Sequence, residues 1–150
     1  MKHKYLEEAG WVSYADNDWR GKNIWRKIKY FFKKRKTGVD PRTCFDLDTE
    51  MMFWIYEHIC QFLNDAEPVV DLDYHKFEYE GKTYTLKELL LKVKEYISNY
   101  MNAEDNLITD ENVNKSGEAD PLGVQVFEYE KENYSRVFDI LKLIFPALWW

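Results

Sequence analysis

Residues 23–36, with the sequence NIWRKIKYFFKKRK, constrain the fold more than any other stretch of this chain. At about 100° per residue, one side of a helix carries positions i, i+1, i+4, i+7 and i+8. Here those positions are Ile24, Trp25, Ile28, Phe31 and Phe32. This spacing predicts an amphipathic helix whose apolar stripe faces the protein core. Asn23 is the predicted N-cap, and Gly38 lies where a C-terminal cap is expected.

The other side of this helix is basic. Its cations are Lys22, Arg26, Lys27, Lys29, Lys33, Lys34 and Lys36. Arg35 points to the apolar side, where it should pair with a carboxylate or reach water along its stem. The Tyr30 ring either stacks on a base while its neighbours bind phosphate, or packs against another element while the lysines stay solvated. The predicted ligand-binding residues are Arg26, Lys27, Tyr30, Lys33, Lys34 and Arg35.

The charge of the chain is unevenly distributed. Between Arg20 and Arg42 there are ten Lys or Arg residues and one acid, Asp40, so this segment carries +9. The whole chain carries −6, which leaves −15 for the remainder. The basic helix is therefore expected either to bind an external anion or to be neutralised by acidic parts of its own chain.

Length and composition predict one folded domain, residues 1–150, because the chain is 45% apolar and 17% aromatic. No apolar run reaches the roughly 18 residues of a membrane-spanning helix, and the N-terminus lacks the apolar segment of a signal peptide. We therefore expect no membrane partner and a cytoplasmic location. Cys44 and Cys60 match neither a disulfide framework nor a zinc site, so we expect free thiols and no cofactor or metal.

A short helix or arm is predicted at residues 6–14, and a second long helix follows the basic one. Asp48 is the predicted N-cap of that helix, which should end near Asn64. Its expected buried stripe is Met51, Met52, Ile55, Ile59, Phe62 and Leu63. Phe53 and Trp54 lie outside the stripe, so they are either buried by a further layer or part of an oligomer interface.

A β-hairpin and a third helix come next. Alternation across residues 77–85 predicts two strands joined by a turn at Gly81. Thr85 and Glu88 match a capping box, and the helix should end near Met101. Its expected buried stripe is Leu86, Leu89, Leu90, Val93, Tyr96, Ile97, Tyr100 and Met101.

The last part of the chain begins with a polar, acidic connection at residues 102–119, which is long for a compact domain. Pro121 suits the first turn of a fourth helix that should end near Phe145. Its expected buried side is Phe127, Tyr134, Val137, Phe138, Leu141, Ile144 and Phe145. Trp149 and Trp150 should dock on the core or on a partner. Together the elements predict an α+β fold, predominantly α-helical, with about four helices and one small hairpin.

Two parts of the sequence resemble small tailed-phage proteins of uncharacterised function. The matching residues are Arg26-Lys-x-Lys29-Tyr-Phe-Phe32, Gly38, Asp40, Leu47-Asp48, Ile55, Phe62 and Phe145-Pro-Ala-Leu-Trp149, the last being similar to F-x-x-L-W. The similarity covers roughly residues 20–63 and the last six residues. Phe45 stands where those proteins have Trp, and the middle of the chain matches poorly. The resemblance implies a phage origin and action in the host cell, and it implies no particular activity.

The sequence contains no pattern that we would assign to catalysis. The acids at residues 46–48 and 71–73, with His58 and His75, lack a metal-ligand spacing such as H-E-x-x-H. His58 is expected to be a histidine at the edge of the core. Cys44 has no identifiable catalytic partner, and no Gly-rich phosphate loop is present. We therefore expect that the protein is not an enzyme.

The leading hypothesis is a non-enzymatic phage accessory protein that binds a nucleotide signal or a nucleic acid through the basic helix and so counters a host defence. The alternative is a protein–protein inhibitor or assembly component acting on a host defence protein. It would use the acidic remainder or the aromatic residues Phe53 and Trp54, including mimicry of nucleic acid toward a host nuclease. A third reading is a structural part of the virion. The surplus of aromatic residues favours a homo-oligomer.

Overall fold

The computed structural model describes residues 3–13, 24–44, 46–107 and 121–148. Within these ranges the chain forms six α-helices and one two-stranded antiparallel hairpin, which confirms the predicted α+β, mostly helical fold. The chain divides into two compact units, Met1–Gln61 and Phe62–Trp150. The single domain expected from the sequence stays a prediction.

Several sequence predictions fall on residues outside the described ranges. They concern the N-cap Asn23, the cation Lys22, the greater part of the polar connection and the two terminal tryptophans, Trp149 and Trp150.

The first unit contains a short helix, the basic helix, a 3₁₀ turn and the beginning of a long helix. Helix α1 spans Lys4–Ala9, α2 spans Ile24–Thr37, a 3₁₀ turn spans Pro41–Cys44, and α3 spans Leu47–Ala66. Because α3 begins before Asp48, the prediction of Asp48 as N-cap is wrong. The Asp48 carboxylate lies in the first turn of α3, where the positive end of the helix dipole stabilises it.

The residues after α1 pack on α3. The ring of Trp11 stacks on Phe53, with centroids 6.0 Å apart, and meets Tyr56 edge-on at 4.9 Å. Phe53 is therefore buried. For this residue, burial by a further layer was the alternative to a place in an oligomer interface. Its neighbour Trp54 remains exposed and stacks on His58 at 3.9 Å. The buried residues of the predicted α3 stripe are Met52, Ile55, Ile59 and Leu63.

The apolar stripe of α2 is not in the core, and this corrects the sequence prediction. Ile24, Trp25, Ile28, Phe31 and Phe32 are all exposed, and no residue of α2 is buried. Periodicity fixes the direction of these side chains relative to one another. It does not supply the surface that would cover them, and that surface depends on residues far away in the sequence.

The second unit begins its regular structure with the hairpin. Strand β1, Lys76–Tyr79, pairs antiparallel with β2, Lys82–Thr85, and Tyr79 lies opposite Lys82. The two turn residues, Glu80 and Gly81, have φ values of 50° and 73°. Two successive positive φ angles define a type I′ turn, whose twist matches that of the strands. The predicted hairpin is confirmed.

Helix α4, Leu86–Met101, follows the hairpin directly and begins at the predicted capping box. The Glu88 N–H donates to Thr85 Oγ1 at 3.2 Å, and the Thr85 N–H donates to Glu88 Oε2 at 2.7 Å. A short helix α5, Ala103–Leu107, comes next. The start of the predicted polar connection is therefore helical.

Helix α6, Pro121–Ile144, packs against α4 and ends in a 3₁₀ turn, Phe145–Ala147. The core of this unit is made mainly by six residues of α4 and three of α6: Leu86, Leu89, Leu90, Val93, Tyr96, Ile97, Val137, Ile140 and Ile144. The prediction for α6 is wrong at Phe127 and Phe145, which are exposed, and it missed Ile140. Both errors have one cause: the buried face of α6, which carries Asn133, Val137, Ile140 and Ile144, lies to one side of the predicted stripe.

Candidate anion-binding surface

Helix α2 carries all six predicted ligand-binding residues on 14 residues that include seven cations and no acid. It ends as the sequence predicted. Gly38 has a φ of 76°, and its N–H donates to the carbonyl of Lys34 at 2.8 Å. The hydroxyl of Thr37 donates to the carbonyl of Lys33 at 2.9 Å. Cations in the last turn lie near the negative end of the helix dipole, which favours them there.

The cationic face of α2 consists of Arg26, Lys27, Lys29, Lys33, Lys34 and Lys36, with Tyr30 among them. All six cations are exposed, and Tyr30 is partly buried. Arg35 is also exposed, although it lies in line with the apolar stripe. The structure therefore places the six predicted site residues on one accessible helix, with Arg35 turned away from the other five.

Among the described residues, an acid neutralises α2 at one end of the helix only. Lys34 Nζ lies 3.6 Å from Asp40 Oδ2. Within the described ranges, no other cation of α2 forms an ion pair with a carboxylate. The other six cations of α2 are exposed, and among the described residues they form no ion pair that would compete with an external anion.

Asp40 organises the turn after α2. Arg42 donates to its carboxylate from Nε at 3.0 Å and from Nη2 at 2.7 Å, and the Arg42 N–H donates to it at 3.1 Å. These hydrogen bonds from the Arg42 side chain, with smaller help from Lys34, lower the pKa of the buried Asp40 carboxyl to about 2. The acid nearest to α2 is therefore ionised at neutral pH and largely engaged by Arg42.

The same unit contains an open cavity of about 430 Å³ that the sequence did not indicate. His3, Leu6, Ser13, Lys34, Asp40, Leu47, Glu50, Met51, Phe53, Trp54 and Glu57 line it. Two polar pairs cross its wall: His3 Nδ1 lies 2.8 Å from Glu57 Oε2, and Ser13 Oγ donates to Glu50 at 3.0 Å. Glu50 and Glu57 share a face of α3, but their partners lie more than 35 residues away in sequence, so no local signal predicts the cavity.

In the second unit, Arg136 is the centre of a network that sequence reasoning also missed. Its guanidinium donates to Tyr96 Oη at 3.2 Å and to Glu132 at 2.7 Å, and it lies 3.4 Å from Glu80. Burial raises the pKa of the adjacent Tyr79 to about 12. Since two acids already neutralise Arg136, we interpret this network as structural.

The residues considered for catalysis do not gather into a site. Within the described residues, no group of three or more His, Cys, Asp or Glu side chains is arranged to hold a metal ion. His58 is exposed rather than at the core edge, which corrects the prediction, and its Nδ1 lies 2.7 Å from the carbonyl of Trp54. Cys44 and Cys60 are free, the first exposed and the second buried, as predicted. That the protein is not an enzyme stays a prediction.

Among the described helices, none combines the length and the hydrophobicity that crossing a bilayer requires. No protein-family model, no curated protein and no solved structure matches the chain. The resemblance to tailed-phage proteins therefore stays a prediction from the motifs quoted above, and the functional argument depends on the geometry of α2.

Proposed function

We propose that this protein binds a phosphate-bearing anion through the cationic face of α2. One observation carries the proposal: seven cations lie on a single exposed helix without an acid, and six of them have no ion pair within the described chain. Fixing so many like charges on one rod is costly unless an external anion offsets the repulsion. The ligand class that follows from the sequence is a nucleotide signal or a nucleic acid.

Tyr30 gives the cationic face a second property. Its partly buried ring lies one turn from Arg26 and Lys27 on one side and from Lys33 and Lys34 on the other. An aromatic ring held between cations suits an unpaired base, which stacks on the ring while its phosphates meet the lysines. We therefore favour single-stranded nucleic acid over duplex as the probe of this surface.

The role against a host defence is part of the proposal and is supported by the resemblance to tailed-phage proteins alone. The alternative of a protein–protein inhibitor would use acidic or aromatic surfaces, and of the two aromatic residues assigned to it Phe53 is buried while Trp54 is exposed. We do not propose it as a second function.

The test is fluorescence anisotropy of a labelled single-stranded oligonucleotide titrated with the full chain at several salt concentrations. The double variant Arg26→Gln/Lys33→Gln should bind more weakly, and the slope of log affinity against log salt should fall by about 1.4 for two lost contacts. The matched control is Lys131→Gln/Lys142→Gln, which removes two exposed cations from α6. The control should bind as the unmodified protein does.

A second arm examines the aromatic ring. Tyr30→Leu should reduce affinity for the single strand by roughly fivefold or more, whereas Tyr30→Phe, which keeps the ring, should not. Absence of binding by the unmodified chain to any phosphate-bearing probe, including anionic vesicles, would refute the proposed function. So would equal losses in the α2 and α6 double variants.

A further inference from the structure

We propose that α2 binds the surface of an anionic lipid bilayer, with its axis parallel to the membrane plane and its apolar stripe among the acyl chains. The apolar stripe is Ile24, Trp25, Ile28, Phe31 and Phe32, as above. This inference rests on the proposed binding of phosphate groups by the cationic face, and it assigns those phosphates to lipid headgroups.

The apolar stripe is exposed, so a partner that covers it must itself present apolar surface. Trp25 is 75% exposed, Phe31 60% and Phe32 62%. The two phenylalanine rings also contact each other edge-on at 5.7 Å, so the stripe is continuous. Single exposed apolar residues are ordinary, but a contiguous group of large ones marks an interaction site. A ligand that met only the cations would leave this group in water.

The arrangement of charge around the apolar stripe selects the kind of occupant. On a helical wheel the stripe covers about 120°, and cations border it on both edges. Lys29 and Lys36 follow one edge, while Lys27 and Lys34 follow the other. Lysine stems run along an apolar surface and place the ammonium group at its polar boundary. Two cationic edges around an apolar stripe therefore match a surface whose charge lies directly above its hydrocarbon.

An anionic bilayer has this structure, and the other candidates lack part of it. A single-stranded nucleic acid supplies phosphates and separate base faces, but no continuous apolar surface for five large side chains. A second copy of the chain supplies an apolar stripe, but with the two axes about 8–10 Å apart the cations at the edges of one stripe would lie beside those of the other. Only a lipid surface offers hydrocarbon to the apolar stripe and anionic groups to the cations at both of its edges.

The dimensions of α2 agree with binding in the plane of the membrane. Its 14 residues make a rod about 21 Å long, which is shorter than the hydrocarbon core of a bilayer. The sequence expectation of no membrane partner considered spanning segments alone. An interfacial helix needs no such segment, since its apolar face enters only about 5–10 Å into the headgroup and acyl boundary.

One side chain at the lateral edge of the stripe and one at its C-terminal end suit the headgroup level of a bilayer. Trp25 borders the stripe, and indole rings favour the headgroup level, where one side is apolar and the other wet. Arg35 continues the stripe into the last turn of α2, and a guanidinium can bind a lipid phosphate through two parallel N–H groups. Both positions would be unfavourable in a wholly apolar core.

The experiment is vesicle flotation with the full chain. It compares vesicles of phosphatidylcholine with vesicles that also contain phosphatidylglycerol, and a labelled oligonucleotide is measured in parallel. Of the two kinds of vesicle, we expect the chain to bind only the one that contains phosphatidylglycerol. The double variant Phe31→Gln/Phe32→Gln should lose at least about tenfold in vesicle affinity, because it removes two rings from the acyl region. Its affinity for the oligonucleotide should not change.

Phe127→Gln is the matched control, since Phe127 is 64% exposed on α6 and carries no cationic face beside it. It should float as the unmodified chain does. Circular dichroism of each variant verifies that the helices are retained, so a loss of flotation cannot be attributed to unfolding. The Lys27→Gln/Lys29→Gln variant, which removes one cation from each edge of the stripe, should lose affinity for vesicles and oligonucleotide alike, by about fivefold per cation at the membrane.

Four results would overturn the inference, and the first three separate it from the proposed function. If the chain binds the oligonucleotide but not the vesicles, the membrane assignment fails and anion binding stands. If vesicle binding is unaffected by Phe31→Gln/Phe32→Gln, the cations alone bind headgroups and the stripe is not inserted. If that variant instead dissociates a dimer, the stripe belongs to a second copy. Binding of neither probe refutes both proposals.

Discussion

Helices α2 and α4 have the same kind of sequence and opposite surroundings. In each, large apolar residues recur at helical spacing and polar residues occupy the other side. The stripe of α4 is buried at Leu86, Leu89, Leu90, Val93, Tyr96 and Ile97, whereas every residue of the α2 stripe is exposed. The difference shows that amphipathicity predicts which face of a helix is apolar. It does not predict whether the same chain buries that face.

Their polar faces differ in a way that agrees with this outcome. The polar side of α4 mixes acids and bases, including Glu88, Lys92 and Glu95. On the polar side of α2 every charged residue is a base. A mixed face is satisfied by solvent, while a face of one sign has a large field that attracts a partner of opposite charge. The helix that lacks internal cover is thus also the helix equipped for an external anion.

The largest expected effect contrasts a residue from each stripe. Leu89→Ala should lower the free energy of unfolding by about 2–5 kcal/mol, because Leu89 is fully buried. Phe32→Ala should change it by less than about 0.5 kcal/mol, since the ring already faces solvent. Urea denaturation followed by far-UV circular dichroism measures both. Equal costs would mean that α2 is covered in solution and would remove the basis of the comparison.

The next effect concerns the turn that follows α2. The Asp40 carboxyl has a folded-state pKa of about 2, below its ordinary value of 3.8. Its stabilising contribution, roughly 2 kcal/mol, is therefore complete above about pH 4 and is lost as the pH falls toward 2. Asp40→Asn should be less stable than the unmodified chain at pH 6, and the gap should narrow below pH 4.

The exposed Asp139 on α6 provides the control for that measurement. Asp139→Asn should leave the free energy of unfolding nearly unchanged over the same pH range. A gap between Asp40→Asn and the unmodified chain that stays constant from pH 6 to pH 2 would contradict the assigned pKa of Asp40. The lost stability of Asp40→Asn would then come from altered hydrogen-bond geometry in the turn after α2 and not from the charge of Asp40.

A smaller effect is expected at the start of α4, where the capping box joins the hairpin to the helix. Thr85→Ala should cost about 1 kcal/mol, because the Glu88 N–H loses its acceptor. Thr85→Ser keeps the hydroxyl and should cost much less. Thermal unfolding of the three proteins tests this. If the serine variant is as unstable as the alanine variant, the buried methyl group of Thr85, and not its hydrogen bond, stabilises this end of α4.

The smallest expected effect is a gain in stability at the expense of binding. Lys29→Glu places an acid four residues before Lys33 and relieves the like-charge repulsion on α2, which should stabilise the helix by about 0.3–0.5 kcal/mol. The same change should weaken the binding of oligonucleotide and anionic vesicles. A variant that became more stable and still bound both probes fully would show that the charge of α2 has no part in recognition.

Much of the local structure follows from the sequence because its causes act over a few residues. The hairpin, the Thr85–Glu88 capping box and the Gly38 cap were predicted where they occur. Each depends on dihedral preferences or on hydrogen bonds between near neighbours. The pattern of cations along α2 is likewise a property of the sequence, and with it the identity of the candidate site residues.

The tertiary structure decided what covers each apolar face. Phe53 is buried because Trp11, far away in sequence, packs on it, and Phe127 is exposed although it belongs to the stripe that the sequence predicted for α6. The cavity between α3 and the N-terminal residues arises in the same way. A repeat of 3.6 residues orients side chains about one axis, whereas cover is a contact between two surfaces. For this reason the sequence by itself determined that α2 has an apolar face, and only the fold left that face open.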